Sequence, residues 1–462
     1  MFSQGMSWAL SWSLRGSWRA LCAAPPSTGV DLQALDGLRV LGLLCFVIEH
    51  VCWLNTLTYI VNTRHVEKMR SETDVMLVSN STLMVQAFFL MSAFLLANKL
   101  LQQRRRQQRL AVCSTILDTM LNRIVRMSPT YFMVVWFASS WWVRGGAGPL
   151  WAPLVAGEAA VCRRKWWTHL LYLNNLLLAD DKCLIQTWYL AADMQLYLCA
   201  LLLTLALWRL RRAALLVLGA LLVAVVLAAG AAAYAWHLVP TFVLHRPEAV
   251  RALYSGDLSF NLLYQSPLGN APGALVGLLL AHLHHALLDA NVRLSDYRWF
   301  RWAAWWAPWL ALWWVALSPK LLGAGPPARA AAAALAAGER AVFAIFVATA
   351  LLGAMHGVKS PVRTVLSWRG WAVLARLSFG ALLLHMIINK SLLAAQLAPT
   401  HLDRTTAILQ WFGVAAASYM AALPLALLVE IPVQRLYKEL RAPRTPPEPE
   451  RVPKPEKTRV AS

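Results

Sequence analysis

Charge is scarce in this chain of 462 residues, and negative charge most of all. Only 14% of residues are Asp, Glu, Lys or Arg, against about 25% in a soluble globular chain. A large soluble enzyme would lack the polar surface to cover itself. With 59% hydrophobic residues and a mean hydropathy of +0.51, a disordered or fibrous chain is excluded as well. Seven cysteines are too few for a disulfide scaffold. No zinc-ligand spacing, P-loop or dinucleotide Gly-rich motif is present. The first thirty residues lack the compact apolar stretch and cleavage site of a signal peptide. What charge there is leans one way, with 43 Lys and Arg against 22 Asp and Glu, a net +21. In an apolar chain this excess points to loops facing anionic lipid, not to nucleic acid. The 23 Trp suit the interfacial belts of a membrane protein.

A membrane-spanning helix needs about 20 mostly apolar residues. Ten segments qualify: 38–59, 75–98, 127–143, 188–208, 213–236, 271–288, 302–319, 340–357, 373–396 and 407–430. The expected fold is all-α, a polytopic transmembrane helical bundle. The Ala/Gly/Pro-rich stretch 324–337 reads as a loop. The tail 441–462 is basic and Pro-rich, has almost no bulky apolar residue, and is expected to be disordered.

Every second link is basic. Arg104, Arg105, Arg106, Arg109, Arg123 and Arg126 follow the second span. Arg209, Arg211 and Arg212 follow the fourth, Arg293, Arg298 and Arg301 the sixth, and Lys359, Arg363, Arg369 and Arg376 the eighth. By the positive-inside rule these links, the segment 1–34 and the tail are cytoplasmic. The link between the third and fourth spans then faces an oxidising compartment. It contains Cys162 and Cys183, which are expected to pair there; the alternative is two free thiols that flank an amphipathic stretch. The expected location is the plasma membrane or the endoplasmic reticulum.

Polar groups within spans are expensive and mark functional sites. Arg39 and His50 of LDGLRVLGLLCFVIEH are eleven residues apart. Eleven steps of about 100° close three turns with roughly 20° left over, so both lie on one helix face, about 16 Å apart along the axis. That puts His50 near mid-membrane, where it needs a partner. The adjacent Glu49 can orient or charge it, or pair with another span. Arg123 and Arg126, three apart, share a helix face at the cytoplasmic boundary. They form either a phosphate clamp or a plain positive-inside pair. Ser92, Asp193, Gln195, His385 and Glu430 are further polar residues of the spans, as is Gln86. His282, His284 and His285 have poor metal geometry on a helix and read as an interfacial polar patch; no metal site is expected.

Taken in order, LDGLRVLGLLCFVIEH, VQAFFLMSAFLLA, NRIVRMSPTYF, the Cys162-to-Cys183 segment, TWYLAADMQLYL, LSFGALLLHMIINK and VEIPVQRLYKEL resemble the acyltransferase-3 membrane proteins, and within them the animal nose-resistant-to-fluoxetine type. The resemblance runs over 35–440. It departs at Gln86, Ala93 and Glu49, where the pattern usually has Asp, Gly and Gly. Such members also usually carry a large Cys-containing domain ahead of the spans, so the chain reads as a shortened member or an incomplete gene model.

The resemblance implies transfer of an acyl group from acyl-CoA, or a similar donor, to a hydroxyl of a lipid, sugar or small molecule, with membrane lipids as partners and no bound cofactor. His50 is the implied general base, with Arg39 on its helix face and Glu49 beside it as the residue that could orient or charge the ring. Arg39, Arg123 and Arg126 would hold the donor phosphates, and Ser92 is the candidate oxyanion stabiliser. The rival expectation is a non-catalytic lipid or drug transporter using the same polar cavity.

Overall fold

In the computed structural model the described residues are 7–23, 33–106, 111–210, 213–323 and 327–441. The tail 442–462, whose disorder was expected, lies outside them, as do Arg109, Arg211 and Arg212. The described residues contain no strand, only an isolated bridge between Ile60 and Thr400. Ten of the helices are 19 residues or longer: α1 (Gln33–Asn55), α2 (Val85–Arg105), α3 (Val112–Ser140), α4 (Trp188–Ala206), α5 (Ala214–Ala235), α6 (Pro267–Asp289), α7 (Arg298–Leu317), α8 (Arg329–Met355), α9 (Trp371–Ala394) and α10 (Arg404–Leu425). Eight candidate spans among the described residues are long and apolar enough to cross a membrane. They contain all of these helices except α3, which carries its Arg pair inside the helix, and the Trp-rich α7. The protein is an all-α, multi-pass membrane bundle. α5 shows why: it is apolar all round yet turns Leu216, Val223 and Leu227 outward, a pattern stable only against lipid.

The helices depart from the sequence-based boundaries in three places. The stretch 324–337 is not a loop from end to end, because α8 begins at Arg329. Its Ala-rich sequence has the highest helix propensity of any residue type once past Pro327. The segment 75–98 is not one helix. It breaks at Asn80 between a short helix, Thr73–Ser79, and α2. There Ser81 donates to the Val78 carbonyl, a local side-chain bond that competes with helix propagation, and Asn80 donates across to the Val315 carbonyl of α7. Finally, α3 starts at Val112, well ahead of the apolar segment 127–143, so Arg123 and Arg126 lie within the helix and before that segment.

α6 packs along α2 through small residues. A Cβ added to Gly277 would stand 2.3 Å from the Leu90 carbonyl oxygen, and one on Gly273 2.9 Å from that of Gln86. Only glycine permits this approach, as in other membrane helix pairs. α9 and α10 pack against α1, and α3 and α4 complete the bundle beside α2 and α9. The helix Leu14–Cys22 is clasped at the Arg39 end: the Arg376 guanidinium donates to the Leu21 and Ala23 carbonyls, and that of Arg435 to Ser11.

Candidate active site

α1 carries two functional levels. At its start Arg39 pairs with Asp36 at 3.0 Å, an i, i+3 contact. Here α1, α2, α3, α4 and α9 enclose a cavity of about 350 Å³. Arg39, Lys99, Arg123 and Arg126 line it against a single carboxylate, Asp193. Arg123 is held on three sides. It forms a buried ion pair with Asp193, donates to Ser92 Oγ at 3.0 Å, and stacks its guanidinium 3.8 Å from the centre of the Tyr197 ring. Arg126 projects one turn further along α3 and interacts electrostatically with Glu430, whose carboxylate also accepts a bond from Gln434 at 3.3 Å. Ser92 therefore belongs to the basic cavity, against Arg123.

The second level is three turns deeper. His385 Nδ1 lies 2.6 Å from the Leu382 carbonyl, and its Nε2 lies 3.0 Å from His50 Nδ1. A carbonyl can only accept, so Nδ1 of His385 carries the proton and Nε2, in the neutral ring, accepts from His50 Nδ1–H. This leaves His50 Nε2 as the nitrogen with a lone pair. Glu49 Oε2 stands 3.4 Å from it without a hydrogen bond. The other carboxyl oxygen of Glu49 faces His245 Nε2 at 3.8 Å. The His50 carbonyl accepts from Asn389 at 3.4 Å, and the amides of Asn389, Gln410 and Asn55 continue as a chain. Trp53 meets the His50 ring edge to face at 6.1 Å and donates to the Tyr254 hydroxyl at 2.7 Å. A second cavity, of about 380 Å³, lies beyond Glu49 towards the other end of the bundle.

The remaining predicted residues serve the segment between α3 and α4. Cys162 and Cys183 are bridged, with Cα atoms 4.9 Å apart. Gln195 does not line the basic cavity; it donates to the Tyr172 carbonyl at 2.8 Å and to Asn175 at 2.9 Å. Lys165 donates to the Leu178 and Asp181 carbonyls at 2.6 and 2.7 Å, and burial pushes its pKa down to about 8. His282, His284 and His285 are buried and not displayed as a patch. Their helix packs against α2, where His285 meets Asn98 at 2.9 Å. No His, Cys, Asp or Glu group disposed to hold a metal occurs among the described residues.

Several contributors escape sequence reasoning. Lys99 reads as part of the basic run after the second span, and His245 sits in a link. Lys390 pairs, buried, with Glu158 of the helix Gly157–Leu170, tying the disulfide-closed segment to α9. The one available signal was the lysine itself, a charge inside an apolar span.

The family model described as an acyltransferase domain, of the acyltransferase-3 type, matches residues 32–429, a stretch that takes in all ten long helices. Among curated proteins, nose resistant to fluoxetine protein 6 of Caenorhabditis elegans is 27% identical over 353 residues, 68% of this chain. The chain spans 39% of the length of that relative. No solved structure matches significantly.

Proposed function

The chain belongs to the acyltransferase-3 family, and from that premise we propose that it is a membrane-embedded O-acyltransferase. It moves an acyl group from acyl-CoA, or a similar donor, to a hydroxyl. The observation that carries this reading is the basic cavity. Four cations and one carboxylate line it, with Asp36 paired to Arg39 and Glu430 near Arg126 behind the wall. The excess of positive charge at the lining suits a ligand with several phosphates, and the guanidinium fork is the group that grips them best. The donor phosphates rest on Arg39, Lys99 and Arg126, with Arg123 fixed behind them by Asp193 and Ser92. The thioester arm extends between α1, α2 and α9 towards His50.

His50 Nε2 takes the proton of the acceptor hydroxyl while the hydroxyl oxygen bonds to the thioester carbonyl carbon. The C–S bond then breaks, and the departing thiolate recovers the proton from His50. A base of this kind contributes about 10²–10⁴ in rate. His385 holds the tautomer, because its Nε2 accepts the Nδ1 proton at 3.0 Å. Glu49 stabilises the imidazolium formed during transfer, since an opposite charge 3.4 Å away favours the charged ring.

The test is turnover by the full chain in nanodiscs, with radiolabelled palmitoyl-CoA or acetyl-CoA, total membrane lipid, and mass spectrometry of the products. New acyl esters from wild type and none from His50→Gln are expected. Equal ester formation by both would overturn the base. The second reading, transport of an unmodified lipid, draws on the two cavities at opposite ends of the bundle. It requires lipid to redistribute with no ester formed.

A further inference from the structure

The second cavity differs from the first in sign and in polarity. The charged groups lining it are Glu49, Glu67, Asp74 and Asp403 against Arg70 and Arg404. Neither guanidinium is turned to a ligand. Arg70 donates to the His245 and Phe242 carbonyls at 2.5 and 3.0 Å, and Arg404 bonds Asp74 at 2.6 Å and pairs with Glu72. With Asp74 paired to Arg404, an entering anion meets the carboxylates of Glu49, Glu67 and Asp403 against Arg70 alone, so donor phosphates and fatty-acid carboxylates are disfavoured. The rest of the wall is mostly apolar, with Met69, Leu77, Val78 and Val250 from three separate segments. A sugar would leave most of its hydroxyls unpaired against such a wall. The volume, about 380 Å³, is in the range that holds a drug-sized molecule. At the inner end one polar group stands out. Glu49 is buried, and its Oε2 makes no hydrogen bond although it lies 3.4 Å from His50 Nε2.

We propose that this cavity is the acceptor site, and that it takes an uncharged, predominantly apolar alcohol whose hydroxyl bonds the Glu49 carboxyl group beside His50. The proposal rests on the acyltransferase reading and narrows its acceptor to a lipid-like alcohol, to the exclusion of sugars and fatty acids. It also separates the two substrates: the donor occupies the basic cavity and the acceptor comes from the opposite end of the bundle, so His50 lies between them.

The experiment is scintillation-proximity binding of tritiated 1-hexadecanol to the purified full chain in nanodiscs. Saturable binding is expected, displaced by unlabelled 1-hexadecanol but not by hexadecanoate or methyl glucoside. Val250→Trp and, from another wall, Val78→Trp fill the cavity and should each weaken binding at least tenfold. The melting temperature and the Cys162–Cys183 bridge report that the variants are folded. Glu49→Leu should weaken binding by about the same factor, and Glu49→Gln less, because an amide still bonds a hydroxyl. Absence of saturable binding to wild type, displacement by hexadecanoate or methyl glucoside, or undiminished binding by both folded Trp variants overturns the proposal. The two readings fail separately. Alcohol binding without any ester product defeats the acyltransferase and leaves the site. Ester formation by Trp variants that still bind alcohol defeats the site and leaves the activity.

Discussion

His50 and His385 are 335 residues apart and touch through one nitrogen pair. At this scale the expected outcomes separate chemistry from support. His50→Gln should abolish turnover while donor binding, read by isothermal titration with a non-hydrolysable acyl-CoA analogue, stays within about twofold of wild type. His385→Leu removes the acceptor that fixes the His50 tautomer. It should lower kcat by about 10²-fold or more with KM little changed, as loss of a base-orienting partner does. His385→Gln, which retains an oxygen able to accept the Nδ1 proton, should recover part of that loss. A wild-type kcat in His385→Leu would reduce the ring to packing. For the cation set, Arg126→Ala is the informative change and should weaken donor binding without loss of stability. Arg123→Ala conflates two effects, because it leaves Asp193 buried without its partner, and breaking a buried pair costs about 3–5 kcal/mol. Of these residues, the sequence made His50, Arg39, Arg123 and Arg126 visible through spacing and depth. Arg39 and Arg126 share the basic cavity as their turns suggest. Lys99, Asn389 and His245 were not visible, because a residue gains a role from its neighbours across helices, and single-chain periodicity does not report them.

At the scale of elements, the segment from Gly157 to Thr187 is a fastened unit. The bridge closes a loop with a sequence separation of 21, worth roughly 3 kcal/mol in the chain-entropy account. The buried pair of Lys390 and Glu158 ties it to α9. Reduction by dithiothreitol and the Lys390→Ala change should therefore each lower the melting temperature, and non-reduced peptide mapping should recover Cys162 and Cys183 as one species. The same element, and the position just after the Thr241–Leu244 helix, hold histidines kept neutral by burial. The pKa of His245 is pushed down to about 4, and that of His169, also near Lys165, to about 3. In the unfolded chain both rings take up a proton near pH 6.5. Between that pH and the folded values the unfolded state binds more protons, so stability falls as pH drops. The contribution of His245 amounts to about 3 kcal/mol once pH reaches 4. Melting curves from pH 7.5 to 4.5 should show this decline, and His169→Gln should flatten it; a pH-independent melting temperature contradicts it. For the α2–α6 pair, Gly277→Val forces a side chain onto the Leu90 carbonyl. It should destabilise by about 1–3 kcal/mol, measured by the same melts.

Across the whole molecule the two described ends meet. The helix Leu14–Cys22 and the helix Ile431–Arg441 pack together at the end that holds Arg39. With alternate links basic, we expect both termini to be cytoplasmic and the disulfide-closed segment to lie on the oxidising side. Epitope tags at Met1 and Ser462 should both resist protease in sealed cells; digestion of only one would remove the even span count. On the proposed reading, this orientation would put the basic cavity on the side of a cytoplasmic acyl donor and the apolar cavity on the far side.

The all-α fold and the approximate positions of ten helices were determined by the sequence alone, because bilayer thickness acts on composition and order, which are local properties of the chain. For Cys162 and Cys183 the sequence left free thiols as the alternative, and the structure bridges them. The extra turns of α3 and α8, the break at Asn80 and the glycine contact of α2 with α6 were decided only by the tertiary structure. So were the tautomer of His50, the partner of Arg123 and the opposite signs of the two cavities. Each of these depends on which polar group is brought against which. In an interior with little water to compensate an unpaired charge or carbonyl, that arrangement is set when the helices pack and cannot be read from any one of them.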